Sequence, residues 1–165
     1  MKIILASWNV RGLNDPNKQE ETGNDCTRYN IDLLAVQETK MTTETETDLK
    51  SGYKFICLQQ KYDSHGGLGY LVKNSFIEYI TNYEYISDRV AILDFQFESP
   101  QGETNVRIFN VYGHTLEKSV KDPHLREIFY DQIQNMIDKT PKSWEVIILG
   151  DFNSRLGSKE IKNNT

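Results

Sequence analysis

The chain has 165 residues, of which 38% are hydrophobic, 26% charged and 11% aromatic; this mixture fits one globular domain with its own core and excludes disorder, collagen-like repetition and a disulfide scaffold. Its 19 basic and 24 acidic residues leave a formal charge of −5, which counts against a module that binds nucleic acid by phosphate neutralisation alone but leaves room for an enzyme whose carboxylates serve a metal. No apolar run approaches a membrane span, and the run from Ile3 to Ala6 is too short for a signal-peptide core.

Residues 2–8 (KIILASW) predict a first strand. The stretch 13–30 falls where a first crossover helix is expected, with a thin apolar face interrupted by Gly23. Strand 31–37 (IDLLAVQ) follows, and 41–48 (MTTETETD) reads as an acidic, solvated loop. Strands are expected over 53–58 and 68–72, the second fed by the turn His65-Gly66-Gly67, and then over 76–86. Runs 89–97 and 105–112 flank the turn-rich segment 98–103 and predict a hairpin. From Leu125 to Ile137 the apolar positions Leu125, Ile128, Phe129, Ile133, Met136 and Ile137 keep a helical period. Asp122-Pro123 supplies the N-cap and the first-turn proline, and Pro141 the stop. That helix joins the strand ending at Tyr112 to a last strand over 144–149, a strand–helix–strand connection. Many strands and few helices predict an α/β or α+β fold with buried strands. Cys26 and Cys57 are far apart, with no His or Cys at metal spacing. Reduced thiols in an intracellular compartment are therefore expected, with Cys57 in a strand core.

The informative pattern lies at the ends of these runs. IILASW ends at Asn9, DLLAVQ at Glu38, VRIFNV at Tyr112, and EVIILG at Asp151 followed by Asn153. Residues at the ends of several strands converge at one rim of a sheet, where α/β proteins place their sites. Glu38 and Asp151 are hard oxygen ligands of the kind Mg2+ or Mn2+ uses, and a divalent cation removes the repulsion between two close carboxylates. Asp151 and Asn153, two apart on an extended segment, share a face. Asn amides at 9 and 153 both donate and accept, and the Tyr112 phenol can stabilise developing negative charge. These residue types point to a metal-assisted hydrolase of a phosphate ester.

The segments WNVRGL (8–13), VQETK (36–40), HGGLGYLVK (65–73), FNVYGHT (109–115) and LGDFNSRLG (149–157) stand in the order of the endonuclease/exonuclease/phosphatase superfamily. The chain resembles above all the apurinic-endonuclease-like domain of non-LTR, LINE-type retrotransposons, over Ile3 to Gly157. The resemblance implies a DNase I-like two-sheet α/β sandwich and Mg2+-dependent cleavage of DNA phosphodiesters, leaving a 3′-hydroxyl. It implies catalytic roles for Asn9, Glu38, Tyr112, Asp151 and Asn153, with Glu38, Asp151 and Asn153 as the metal set. Asp151 orients or deprotonates the attacking water, Asn9 and Asn153 organise phosphate and carboxylates, and Tyr112 faces the scissile phosphate or leaving group. Arg11 and Lys40 are candidate DNA contacts. Arg89 heads a strand and either approaches the cleft or pairs near Asp88. DNA is the expected partner, with a reverse transcriptase fused or encoded alongside, and the nucleus the expected place of action on genomic DNA.

Two departures from the family pattern shape the expectation. The pattern continues with an additional Asp and a Ser/Thr-Asp-His strand, and residues 158–165 (SKEIKNNT) contain neither. His65, His114 and His124 do not substitute for the missing base. One domain over 1–165, lacking its last strands, with exposed strand edges and weak or absent activity, is expected. Arg11 stands where DNA-repair members often carry Asp. The alternatives are a non-catalytic remnant, or a phosphatase of the same superfamily, for which the negative charge leaves room.

Overall fold

The computed structural model describes residues 2–58, 66–100 and 102–154; His65 and the segment 158–165 lie outside them. In chain order the elements are β1 (Leu5–Asn9), α1 (Pro16–Arg28), β2 (Leu33–Gln37), β3 (Thr45–Asp48), β4 (Tyr53–Leu58), β5 (Leu68–Lys73), a 3-10 turn (Asn74–Tyr79), β6 (Ile80–Ser87), β7 (Val90–Ser99), β8 (Gly102–Tyr112), α2 (Leu116–Lys121), α3 (His124–Lys139) and β9 (Glu145–Asp151). One sheet has the order β1-β2-β5-β4-β3 and the other β6-β7-β8-β9. The pairs β1–β2 and β8–β9 are parallel. Each is joined by a helical crossover, as parallel neighbours require.

Side-chain alternation builds the layers. Leu33 and Ala35 of β2, Tyr70 of β5, Ala91 and Leu93 of β7, and Ile108 of β8 meet between the sheets. The intervening Leu34 and Val36 join Leu13 and Cys26 on the outer face of the first sheet, beneath α1. Val90, Ile92, Phe109 and Val111 face outward under Phe129 and Ile133 of α3. The result is the two-sheet α/β sandwich that the resemblance implied.

Three local expectations need correction. The acidic stretch 41–48 is not wholly loop: Thr45–Asp48 pairs with β4 at the sheet edge. Its Thr/acid alternation is itself a strand pattern, with Thr half-buried and Glu46 and Asp48 exposed. Lys54 on the neighbouring strand lies 3.1 Å from Asp48 and 3.6 Å from Glu46. The run 76–86 begins as a 3-10 turn, because the chain must turn a corner there from one sheet to the other while Phe76 and Ile77 pack against the inter-sheet core. The main helix starts at His124 with Pro123 as its N-cap residue, one position later than the Asp122-Pro123 reading; Asp122 Oδ1 still accepts the His124 N–H at 3.1 Å. The short α2 ahead of it has no apolar period to announce it and carries a Glu117–Lys121 pair at 2.6 Å.

The helix expected over 13–30 is present as Pro16–Arg28, and its thin apolar face has a cause. Its buried side is Gln19, Thr22, Gly23 and Cys26. Gln19 Nε2 donates to the Leu13 carbonyl at 2.7 Å. A Cβ at Gly23 would lie 2.2 Å from Ser51 Oγ, so glycine is what lets this helix sit against the β3–β4 turn. Cys26 and Cys57 are both buried and form no disulfide with each other, and the Cys57 thiol lies 3.8 Å from Thr39 Oγ1. Among the described residues no helix is long and apolar enough to cross a membrane.

Candidate active site

The parallel strands β1, β2, β8 and β9 run in register, Asn9 opposite Gln37 and Tyr112 opposite Asp151. Their C-terminal ends therefore meet at one rim. Asn9 Nδ2 donates to Glu38 Oε1 at 2.7 Å and to Asp151 Oδ2 at 3.1 Å, the second bond spanning 142 positions of sequence. One amide nitrogen thus spends both hydrogens holding two carboxylates together. Its carbonyl oxygen accepts the Arg11 backbone N–H at 3.3 Å, which fixes the amide orientation. The Tyr112 hydroxyl donates to the same Glu38 Oε1 at 2.8 Å.

Asn153 belongs to the cluster through its backbone. Its N–H donates to Asp151 Oδ1 at 2.9 Å, and its side-chain amide donates to the Gly113 carbonyl at 2.9 Å. Gly113 N–H in turn donates to the Asp151 carbonyl at 2.7 Å. Arg11 and Lys40 stand exposed on the loops leaving β1 and β2, and among the described residues neither bonds the carboxylates. Glu38, Arg11, Lys40 and Asn153 all have φ between 48° and 56°, a region that costs a non-glycine residue roughly 1–2 kcal/mol. Backbone strain of this kind clusters where side chains must be aimed rather than merely buried.

Two residues beneath the rim escaped the sequence reading as functional. Gln37 and Asn110, both fully buried, clamp the two sheets: Gln37 Nε2 donates to Asn110 Oδ1 at 2.7 Å. Asn110 Nδ2 donates to the carbonyls of Val36 and Gly69 at 3.0 and 2.9 Å. The clamp sits one residue before Glu38 and two before Tyr112. The alternation Ile108, Asn110, Tyr112 is the signal in the sequence that places Asn110 between the sheets. Arg89, read from the sequence as approaching the cleft or pairing near Asp88, has its guanidinium carbon 4.7 Å from the centroid of the Tyr112 ring.

Electrostatics at the rim follow from these contacts. Burial, followed by the bond to the Glu38 carboxylate, pushes the Tyr112 phenol up to about 12, and the Arg89 charge partly opposes it. The neutral phenol is therefore a hydrogen-bond donor at ordinary pH. His114 is half-buried and edge-on to Phe129, with ring centroids 6.5 Å apart. Burial first, then the charges of Arg89 and Lys118, push its imidazole down.

Among the described residues no group of three or more His, Cys, Asp and Glu side chains gathers at one point. The rim offers two carboxylates joined through an amide, with Asn153 behind them. That donor set fits a small hard cation that keeps several of its waters and takes one or two protein carboxylates.

A sequence profile described as the Endonuclease/Exonuclease/phosphatase family matches residues 6–164. Craniofacial development protein 2 of Tragulus javanicus is 30% identical over 160 residues, covering 97% of this chain and 26% of that protein. The chain thus spans about a quarter of the length of the curated relatives it matches. An AP endonuclease from Leishmania major superposes with a TM-score of 0.64 at 18% identity, covering 88% of this chain and 53% of that one. A humanized TDP2 of D. rerio gives 0.63 at 17% identity, with coverages of 93% and 67%. At these identities the two structures establish the fold.

Proposed function

The chain belongs to the endonuclease/exonuclease/phosphatase family of phosphate-ester hydrolases, and from that premise we propose that it is a divalent-metal-dependent DNA-nicking phosphodiesterase of the apurinic-endonuclease-like, retrotransposon-derived kind. The observation that carries the proposal is the single amide of Asn9 bridging Glu38 and Asp151 at a rim made by the ends of four strands. Two carboxylates that share one amide donor repel each other, and a divalent cation such as Mg2+ or Mn2+ relieves that repulsion. The resemblance to non-LTR retrotransposon domains and the AP endonuclease likeness support DNA as the substrate, and action on genomic DNA would place the protein in the nucleus.

Glu38 and Asp151 would hold the ion, with Asn153 beside them. When bound, it would neutralise the carboxylates, polarise a phosphoryl oxygen and stabilise the departing oxyanion. Asp151, with one oxygen pinned by the Asn153 N–H and the other by Asn9, is aimed to orient and deprotonate a water. Asn9 fixes the spacing of the two carboxylates. The Tyr112 hydroxyl, kept protonated, presents a donor beside Glu38 where the phosphate must lie. Arg11 and Lys40, exposed on the adjacent loops, serve the DNA backbone.

A second reading is a phosphatase of the same superfamily acting on a small phosphorylated molecule, favoured by the net charge of −5 and the acidic edge strand. Incubation of supercoiled plasmid with Mg2+ separates the two. The proposal expects nicking that chelation abolishes and that drops to background in Glu38→Ala and Asp151→Ala. Nicking that survives both substitutions contradicts the site. No nicking, with release of phosphate from inositol or nucleotide monophosphates, favours the second reading, and neither activity identifies a non-catalytic remnant.

A further inference from the structure

Arg89 is half-buried at the turn between β6 and β7, one residue before β7 begins. Its carbonyl accepts the Tyr112 N–H at 2.9 Å, which extends the β7–β8 ladder by one step and makes the two residues cross-strand neighbours. Neighbours across an antiparallel pair share a face. The guanidinium accordingly lies over the Tyr112 ring, 4.7 Å from its centroid. The opposite strand end is equally fixed, because Val90 pairs Val111 in the ladder. The Arg89 N–H donates to Ser87 Oγ at 3.3 Å, and that hydroxyl donates to Gln132 of α3 at 2.9 Å. Both the backbone and the side chain of Arg89 are thus held against the tyrosine that reaches Glu38.

We propose that Arg89 is a positioning residue for the proposed reaction: its guanidinium, stacked on the phenol, holds the Tyr112 hydroxyl on Glu38 and sets a positive charge beside the carboxylate rim. This deepens the reading of the rim as a phosphodiesterase site and rests on it. A planar guanidinium covers an aromatic face in a way that an ammonium cannot, and attraction to the ring strengthens when the pair is shielded from water. The phenol needs such a hold. Its tether to Glu38 is one hydrogen bond at the ring's far end, and a ring free to tilt about χ1 and χ2 would lose that bond by a displacement of an ångström. The charge serves the reaction as well. A phosphate arriving beside Glu38 and Asp151 meets two carboxylates, and Arg89 is the cation that the fold itself places against the donor facing it.

The test is a double-mutant cycle on nicking rates, read together with NMR of the Tyr112 ring. Tyr112→Phe identifies the ring's cross-peaks in protein carrying 13C-labelled tyrosine. Arg89→Met, which keeps the stem, is expected to shift the Tyr112 ring resonances and to lower kcat about 10-fold with KM nearly unchanged, the pattern of an interaction made in the transition state. Arg89→Lys keeps the charge without the plane and is expected to recover less than half of that loss. In the Tyr112→Phe background, Arg89→Met is expected to cost less than in the wild type, because the hydroxyl that the guanidinium positions is already gone while its charge beside the rim still counts. Additive losses in the cycle, or Tyr112 resonances that Arg89→Met leaves in place, would overturn the proposal. If the wild-type protein does not nick DNA, the phosphodiesterase reading fails, while the NMR comparison still decides whether Arg89 holds the ring. Circular dichroism of both Arg89 variants confirms that they fold.

Discussion

At the residue scale, Asn9 is the hinge of the account. Among the described residues its Nδ2 is the one group that hydrogen-bonds both Glu38 and Asp151, so Asn9→Ala releases two carboxylates that repel. Removing a side chain that orients metal ligands typically costs about 10–100-fold in metal affinity or activity. That loss is the expectation for Asn9→Ala in Mg2+-dependent nicking, and an unchanged Mg2+ requirement would contradict it. Tyr112→Phe removes a positioned donor and is expected to lower kcat by on the order of 100-fold while the fold persists. Gly150 sets a limit of another kind. With φ of 146° and a would-be Cβ 2.0 Å from the Val111 carbonyl oxygen, Gly150→Ala must displace β9 or β8 just before Asp151. Denaturant unfolding is expected to show a loss above about 2 kcal/mol.

At the scale of elements, the rim depends on two sheets keeping one spacing. Gln37 and Asn110 enforce it from inside. Asn110→Ala removes one buried acceptor of the Gln37 amide, which keeps the Ala35 carbonyl, and the donor to two carbonyls, and about 1–3 kcal/mol of stability should go with them. Because Glu38 lies one residue past Gln37 and Tyr112 two past Asn110, nicking should fall further than stability does. The elements also show what was legible beforehand. The strand ends at Asn9, Glu38, Tyr112 and Asp151 could be read because an apolar run that stops at a polar residue marks a boundary without any knowledge of the partner strand. The expected run over 53–58 matches β4 residue for residue. Edge strand β3 was hidden because Thr and acidic residues alternate there without a hydrophobic face, and the ion pairs of Glu46 and Asp48 with Lys54 form only across the ladder. Arg89 was ambiguous for the same reason: whether it meets Asp88 or Tyr112 is decided by the β7–β8 register, and register is a property of two strands.

At the scale of the whole molecule, charge and surface lead to two consequences. The phenols of Tyr53, Tyr70, Tyr83, Tyr85 and Tyr112 are all pushed above the ordinary tyrosine value, chiefly by burial except at Tyr83, where the bond to Glu46 leads. Burial likewise pushes the thiols of Cys57 and Cys26 up to about 11 and about 12. In each case the folded state keeps its proton longer than the unfolded chain does. The stability these groups contribute is intact below the unfolded values, near 9 for thiols and 10 for phenols, and is lost as pH rises through the folded ones. Thermal unfolding should therefore show Tm falling progressively from about pH 9 to about pH 12; a flat Tm across that window would contradict the burial of these groups.

Among the described residues, β1 and β9 end their sheets, and Trp8, Val146 and Ile148 are 48, 36 and 37% exposed on them. Open, apolar edges of this kind recruit other strands. Light scattering is expected to show concentration-dependent association that Ile148→Lys reduces, and association indifferent to that change would mean that the edge is not the contact.

On the proposed function, four strand ends make one carboxylate site for a divalent cation. Paramagnetic broadening of the 15N–1H spectrum by Mn2+ tests it most directly, because it reports where the ion sits without requiring turnover. Two acidic places compete: the rim of Glu38 and Asp151, and the exposed edge of Glu46 and Asp48. The account predicts that the amides of Asn9, Glu38 and Gly150–Asn153 broaden first and that Glu38→Gln or Asp151→Asn removes the effect. Broadening centred on Thr45–Asp48, or broadening at the rim that survives both substitutions, would contradict it.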